Sequence, residues 1–203
     1  MIDARVRLVF NAKLTDGERT ACRRGADSFS RFNVRIEETA AGPDAGRLIR
    51  NGPLVSSLAG GDGPFRLDGS MFRPFRFSMS DCDTRMLVLG VTPHEMTDGR
   101  THRFAVGKAL AGAVISIADL RKMRSGAYRG IDDQTYSDTI EKMAEHAIGL
   151  TMLDQGCGTC IMQNVRDTAE FIERIARQRL DFCDPCKDRL RGTVASIRYY
   201  GMA

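Results

Sequence analysis

The last quarter of the chain carries two CxxC pairs, Cys157-Gly158-Thr159-Cys160 and Cys183-Asp184-Pro185-Cys186, separated by 22 residues. A two-residue spacer lets both sulfurs of a pair face one point, and two such pairs supply the four thiolates of a closed tetrahedral zinc site. No other feature constrains the fold as strongly, because the loop after one element has to meet the tail after the next. Six cysteines in 203 residues are too few for a secreted disulfide scaffold, and the other two, Cys22 and Cys82, lie singly in the first half. These two read as small core residues. The expectation is one structural zinc on Cys157, Cys160, Cys183 and Cys186, with thiols kept reduced in a cytoplasmic setting. A dithiol redox centre would place one pair at a helix N-terminus in a thioredoxin-like unit. A zinc ribbon for nucleic acid would need a positive surplus, and residues 166–191 hold seven basic against six acidic side chains.

Charge adds little. Thirty Lys and Arg against 26 Asp and Glu leave +4, too dilute to imply a nucleic-acid or membrane partner. No apolar run approaches the roughly 18–20 residues of a membrane span. The charges of Met1-Ile2-Asp3-Ala4-Arg5-Val6-Arg7 interrupt what would be the apolar stretch of a secretion signal.

Val6 to Phe10 reads as a strand, Thr15-Asp16-Gly17-Glu18 as a capping box opening a helix, and the alternating Phe32-Asn33-Val34-Arg35-Ile36 as a second strand. That order implies an α/β domain. Residues 41–70 are loops around at most one short helix at Leu54 to Leu58, and Phe72, Phe75 and Phe77 read as a half-buried edge strand rather than a base-stacking platform. Met86 to Val91 has the continuous apolar character of a central strand. Thr92-Pro93-His94-Glu95 reads as a helix start, which accounts for His94 and Glu95 without a zinc motif completed by Asp98. Ala113 to Ile117 is a further strand. The spacing of Tyr136, Ile140, Met143, Ala144, Ala147 and Ile148 predicts a helix from Asp132 to about Leu153. Gly156 to Met162 reads as a loop. Another helix, about Asp167 to Leu180, places Ala169, Ile172, Ile175 and Ala176 on one face.

Five pieces in order, from Val88 to Leu190, resemble the archaemetzincins, a zinc peptidase family of the metzincin clan. They are Leu89-Gly90-Val91-Thr92, Ala113-Val114-Ile115-Ser116, Glu145-His146-Ala147-Ile148-Gly149-Leu150, Cys160-Ile161-Met162 and Phe182-Cys183-Asp184-Pro185-Cys186. The resemblance implies an α/β, metzincin-like fold: a twisted mixed β-sheet packed with helices and a small C-terminal zinc-binding lobe. It implies one domain over 1–203, with an upper part at 1–153 that ends in an active-site-type helix at 132–153, and a lobe at 154–203. A glycine would redirect the chain after that helix, and Met162 would be the methionine beneath the metal.

The chemistry departs from the family's HExxHxxGxxH. With His146 as the second histidine, the other motif positions hold Lys142, Met143, Gly149 and Met152. Two zinc imidazoles and the general-base carboxylate are missing, whereas a hydrolytic zinc needs three ligands, an open position and a nearby base. Lys142 lies one helical turn before His146, so its ammonium would repel a cation there. Asp154 as a substitute ligand would leave that cation in place. Met143 and Met152 offer soft donors for Cu(I), but methionines at this spacing more often fill a core. The family's first cysteine follows its third histidine directly. Leu153 stands there in this chain, so Cys157 takes over that role. The expected function is therefore an archaemetzincin-like zinc-binding protein without peptidase activity. An extended peptide would add to the sheet edge near 113–117. The alternatives are a zinc peptidase with unorthodox ligands and a nucleic-acid module.

Overall fold

The structure is a computed structural model that describes residues 4–40, 65–66, 86–97, 105–108, 112–126, 130–153 and 156–200. Expectations for the helix at 54–58, for Phe72, Phe75 and Phe77, and for Cys82, Asp98 and Asp154 lie outside these residues.

Strand β1 (Ala4–Phe10) starts with alternating burial and ends with Leu8, Val9 and Phe10 all buried. Arg5 and Arg7, on its other face, reach Glu37 of the parallel neighbour β2 (Val34–Ala40) at 3.7 and 3.1 Å. Between these strands, α1 (Asp16–Asp27) opens on the expected capping box. The Thr15 amide donates to the Glu18 carboxylate at 2.8 Å, and the Glu18 amide donates to the Thr15 hydroxyl at 3.3 Å. A short 3-10 segment (Ser28–Phe32) then carries the chain into β2, so Phe32 ends a helical turn instead of starting the strand. Cys22 is fully buried on α1, and burial pushes its thiol pKa up, as suits an inert core residue.

The central strand β4 (Met86–Thr92) pairs in parallel with β1 on one side and with β7 (Gly112–Ser116) on the other. Leu87, Val88, Leu89 and Val91 are each at most 4% exposed, as a strand covered on both faces requires. The chain then departs from the expected helix start. Thr92 is the last residue of β4: its carbonyl accepts the Ile117 amide at 3.0 Å and its hydroxyl the His94 amide at 3.3 Å. Glu95 bonds to Lys122, and no helix starts at this point. A bend leads directly into the two-residue strand β5 (Met96–Thr97), paired with β3 (Phe65–Arg66).

The five-stranded sheet has the order β2-β1-β4-β7-β6, with β6 (Ala105–Lys108) antiparallel to β7 and the other pairings parallel. This corrects the placement of Ala113 to Ile117. Strand β7 is buried at every position and lies between two partners, so on this side the edge among the described residues is β6. Continuous burial, not alternation, was the signal of that interior position.

Helix α2 (Ala118–Arg124) follows β7, and α3 (Asp133–Leu153) runs along the sheet with the expected Tyr136, Ile140, Met143, Ala144, Ala147 and Ile148 all buried. Helices α1 and α3 touch so closely at Gly25 that a Cβ there would stand 2.1 Å from the Glu141 carbonyl oxygen. One buried carboxylate ties three helices together: Glu18 accepts from Arg121 of α2 at 2.8 and 2.6 Å and from Tyr136 of α3 at 2.5 Å.

The expected helix at 167–180 is short and changes register. Asp167 caps α4 (Thr168–Phe171), and a π segment (Ile172–Ala176) replaces the rest, with Arg177 donating five residues back to Ile172. The wider turn faces Phe171, Ile172, Ile175 and Ala176 inward and leaves Ala169 exposed. The tail forms α5 (Asp184–Tyr200), which buries Cys186, Leu190 and Val194 at i, i+4 and i+8. That spacing, with Pro185 in the first turn, was a legible helix signal hidden behind the second CxxC.

Candidate metal centre

The loop after α3 brings Cys157 and Cys160 to the start of α5, where Cys183 immediately precedes the helix and Cys186 sits in its first turn. The four sulfurs lie within 4.8 Å of one another, the one group of three or more potential metal donors among the described residues. Cys157 meets Cys183 at 3.7 Å and Cys160 meets Cys186 at 3.7 Å. Tetrahedral coordination with Zn–S bonds of about 2.3 Å places sulfurs about 3.8 Å apart, so the residues present fit a zinc ion.

The local backbone suits anionic sulfur. Met162 donates its amide to Cys160 Sγ at 3.4 Å, and the Thr159 amide and hydroxyl bond to Cys157, bringing that thiol down to about 6. Burial pushes the Cys160 and Cys186 thiols up. A metal cation would reverse that trend, since a coordinating thiol is deprotonated outright. The loop is closed by Cys157 donating its amide to the Met162 carbonyl at 2.9 Å and Gln163 donating to the Cys160 carbonyl at 2.9 Å.

The sulfur cluster is fastened to the core through its flanking residues. Phe182, beside Cys183, packs edge-on against Phe29 at 5.6 Å and Phe32 at 6.4 Å. Gly149 of α3 faces both Met162 and Phe182, and a Cβ there would stand 2.6 Å from Met162 Sδ and 2.9 Å from the Phe182 ring. The expected role of Gly149 is thereby corrected. Helix α3 continues through it to Leu153, so the glycine makes room for two side chains instead of turning the chain.

The other motif positions do not converge on a second site. His146 is 3% exposed, its Nδ1 lies 2.6 Å from the Ile161 carbonyl oxygen, and its ring meets Phe171 edge-on at 5.5 Å. A carbonyl can only accept, so Nδ1 carries the proton in this contact. Burial holds the imidazole pKa below its usual value against the opposing pull of that carbonyl. Lys142 donates to Glu145 at 2.7 Å. Glu145 also meets Arg31 at 3.4 Å, and Arg31 forks onto Asp181 at 3.0 and 2.6 Å, two residues before Cys183. Burial raises the Glu145 pKa, with Lys142 opposing it. Met143, Met152 and Met162 are at most 3% exposed and fill the core. Position 152 follows 146 by six residues, roughly 240° around a continuous helix, so the two do not share a face. Sequence reasoning missed the Lys142–Glu145–Arg31–Asp181 chain, because nothing in the spacing links residues 31, 145 and 181.

Among solved structures, the chain is folded like three archaeal proteins. The archaemetzincin of Methanopyrus kandleri superimposes with a TM-score of 0.58 at 17% identity, over 95% of this chain and 96% of that one. A zinc-dependent peptidase of Methanocorpusculum labreanum gives 0.56 at 20%, over 91% and 99%. The archaemetzincin of Archaeoglobus fulgidus, solved with malonate, gives 0.54 at 15%, again over 91% and 99%. No profile of a known family and no curated protein matches the chain. The fold is that of the archaemetzincins, and in this chain it carries a cluster of four cysteines able to hold a metal.

Proposed function

We propose that this protein is an archaemetzincin-fold zinc-binding protein that holds one structural zinc on Cys157, Cys160, Cys183 and Cys186 and does not hydrolyse peptides. Hydrolysis needs a metal with three protein ligands, an open position for water, and a carboxylate to take the proton. One observation carries the reading. His146, the histidine retained from the motif, is 3% exposed under Phe171, and one turn before it stands the ammonium of Lys142, engaged with Glu145. A bound cation would meet that ammonium at close range, and position 152 faces away. The zinc contributes folding free energy by joining the loop after α3 to the start of α5. Thiolates of this kind persist in a reducing compartment, which favours a cytoplasmic setting.

The peptidase reading has one feature in its favour: an Nδ1–H donated to a backbone carbonyl is also how metal-bound imidazoles are oriented. Metal content and activity separate the two readings. We expect about one zinc per chain, retained under mild chelation and lost in Cys160→Ser, with no cleavage of casein or of mixed peptide libraries. Two zincs per chain together with cleavage would establish the peptidase instead. Binding of an extended peptide belongs to the same proposal and moves to β6, the edge strand beside β7 among the described residues. Titration calorimetry with a mixed peptide library is expected to show association, and a null result removes that element.

A further inference from the structure

We infer that Cys157 and Cys183 are a peroxide-sensitive thiol pair that closes into a disulfide between the two CxxC segments and releases the metal. The inference rests on the four-cysteine zinc reading.

Three observations point to this pair. Exposure divides the cluster in two: Cys160 and Cys186 are 3% and 2% exposed, whereas Cys157 and Cys183 are only partly buried and face the side that solvent reaches. The two accessible sulfurs are already 3.7 Å apart and must close to about 2.05 Å to bond. Position in the fold differs as well: Cys183 lies just outside the first turn of α5, whereas Cys186 sits within it, and Gly158 beside Cys157 borders open space.

The chemistry needs an oxidant of the peroxide class. The Cys157 thiolate attacks one peroxide oxygen, the O–O bond breaks, hydroxide leaves, and the sulfur becomes a sulfenic acid. The Cys183 thiolate then attacks that sulfur, the S–O bond breaks, a second hydroxide leaves, and the S–S bond forms. Two thiolates have given two electrons to one peroxide. Two sulfurs remain as donors, too few for a closed tetrahedral site. The loop after α3 stays joined to α5, now by a covalent bond, so the lobe keeps its fastening when the ion leaves.

The test uses the full chain loaded with zinc, its stoichiometry measured before any oxidant is added. Hydrogen peroxide is then titrated in while a colorimetric chelator reports free zinc, and non-reducing peptide mapping locates the disulfide. We expect one zinc released and two thiols lost per chain, a Cys157–Cys183 cross-linked peptide, and reversal by dithiothreitol with added zinc. In Cys183→Ser, dimedone is expected to trap a sulfenic acid at Cys157, and in Cys157→Ser zinc release should slow at least tenfold. A disulfide within one CxxC, zinc retained after the pair has oxidised, or thiols that survive excess peroxide would each overturn the inference. Absence of zinc before oxidation would instead sink the zinc reading, and the mapped disulfide would still decide the pairing. Mapping on the unaltered chain keeps the result independent of whether the variants fold.

Discussion

Two helical glycines illustrate how much a single Cβ can cost. At Gly25 the obstacle is backbone, the Glu141 carbonyl at 2.1 Å, so Gly25→Ala forces α1 and α3 apart. At Gly149 the obstacles are Met162 Sδ and the Phe182 ring, which can partly rotate away. Alanine regains about 0.5–1 kcal/mol of helix preference at either position. We expect Gly149→Ala to destabilise by about 1–2 kcal/mol and Gly25→Ala by more, on the order of 3 kcal/mol, in denaturant unfolding. Lys142→Met removes the nearer cation from Glu145, whose side chain is 4% exposed, and leaves Arg31 at 3.4 Å. A loss of about 1–3 kcal/mol should follow, because the carboxylate stays buried with less compensation. His146 and Glu18 both act on the acid side of the stability curve. The folded state keeps His146 below its usual pKa, chiefly through burial, so the unfolded chain takes that proton first. Stability falls as pH drops below about 6.5 and levels off under the folded value. Burial alone would raise Glu18, but hydrogen bonds from Arg121, Tyr136 and Thr15 outweigh it and lower its pKa. Its contribution is present above about pH 4.3 and disappears as pH falls through the folded value. Urea midpoints measured from pH 3 to 8 should show both declines, with the upper one missing in His146→Gln.

Helix α3 was the most legible element, since its apolar spacing alone located it to within a residue of the observed Asp133–Leu153. The same spacing bore on the site. Met143 and Met152 sit where core residues belong, and they are buried. Restoring the motif with Lys142→His, Met143→Glu and Met152→His would place a carboxylate at a fully buried position and the third imidazole off the face of the second. We expect no second zinc and a destabilised protein; a second ion in metal analysis would show that the helix can break at Gly149. The capping box of α1 and the central strand β4 were equally clear, because each depends on neighbours in sequence. What local pattern could not supply was competition from distant partners. Thr92 and Glu95 have the composition of a helix start, yet the Ile117 amide and Lys122, both far along the chain, take their bonding groups. The π register after Phe171 was not legible either, because Phe171, Ile172, Ile175 and Ala176 would share one face, an arc of about 140°, on a helix of regular pitch as well.

Across the whole molecule, one core cluster runs from β1 through α3 to α5 and includes Cys160, Met162, Phe182 and Cys186. Removing the metal should therefore be felt well beyond the sulfurs. Exhaustive chelation is expected to lower the melting temperature by on the order of 10 °C, taking about 2–4 °C per kcal/mol for a chain of this size. No helix among the described residues is long and apolar enough to cross a membrane. The two cysteine pairs do more than join two ends. They tie off the stretch 161–182 like the neck of a bag, and the cover over the imidazole, Phe171 together with the Ile161 carbonyl, lies inside it. Such a bag opens all at once or not at all. Its amides should exchange with deuterium as one slow group while the neck is tied, and as one fast group when it is undone.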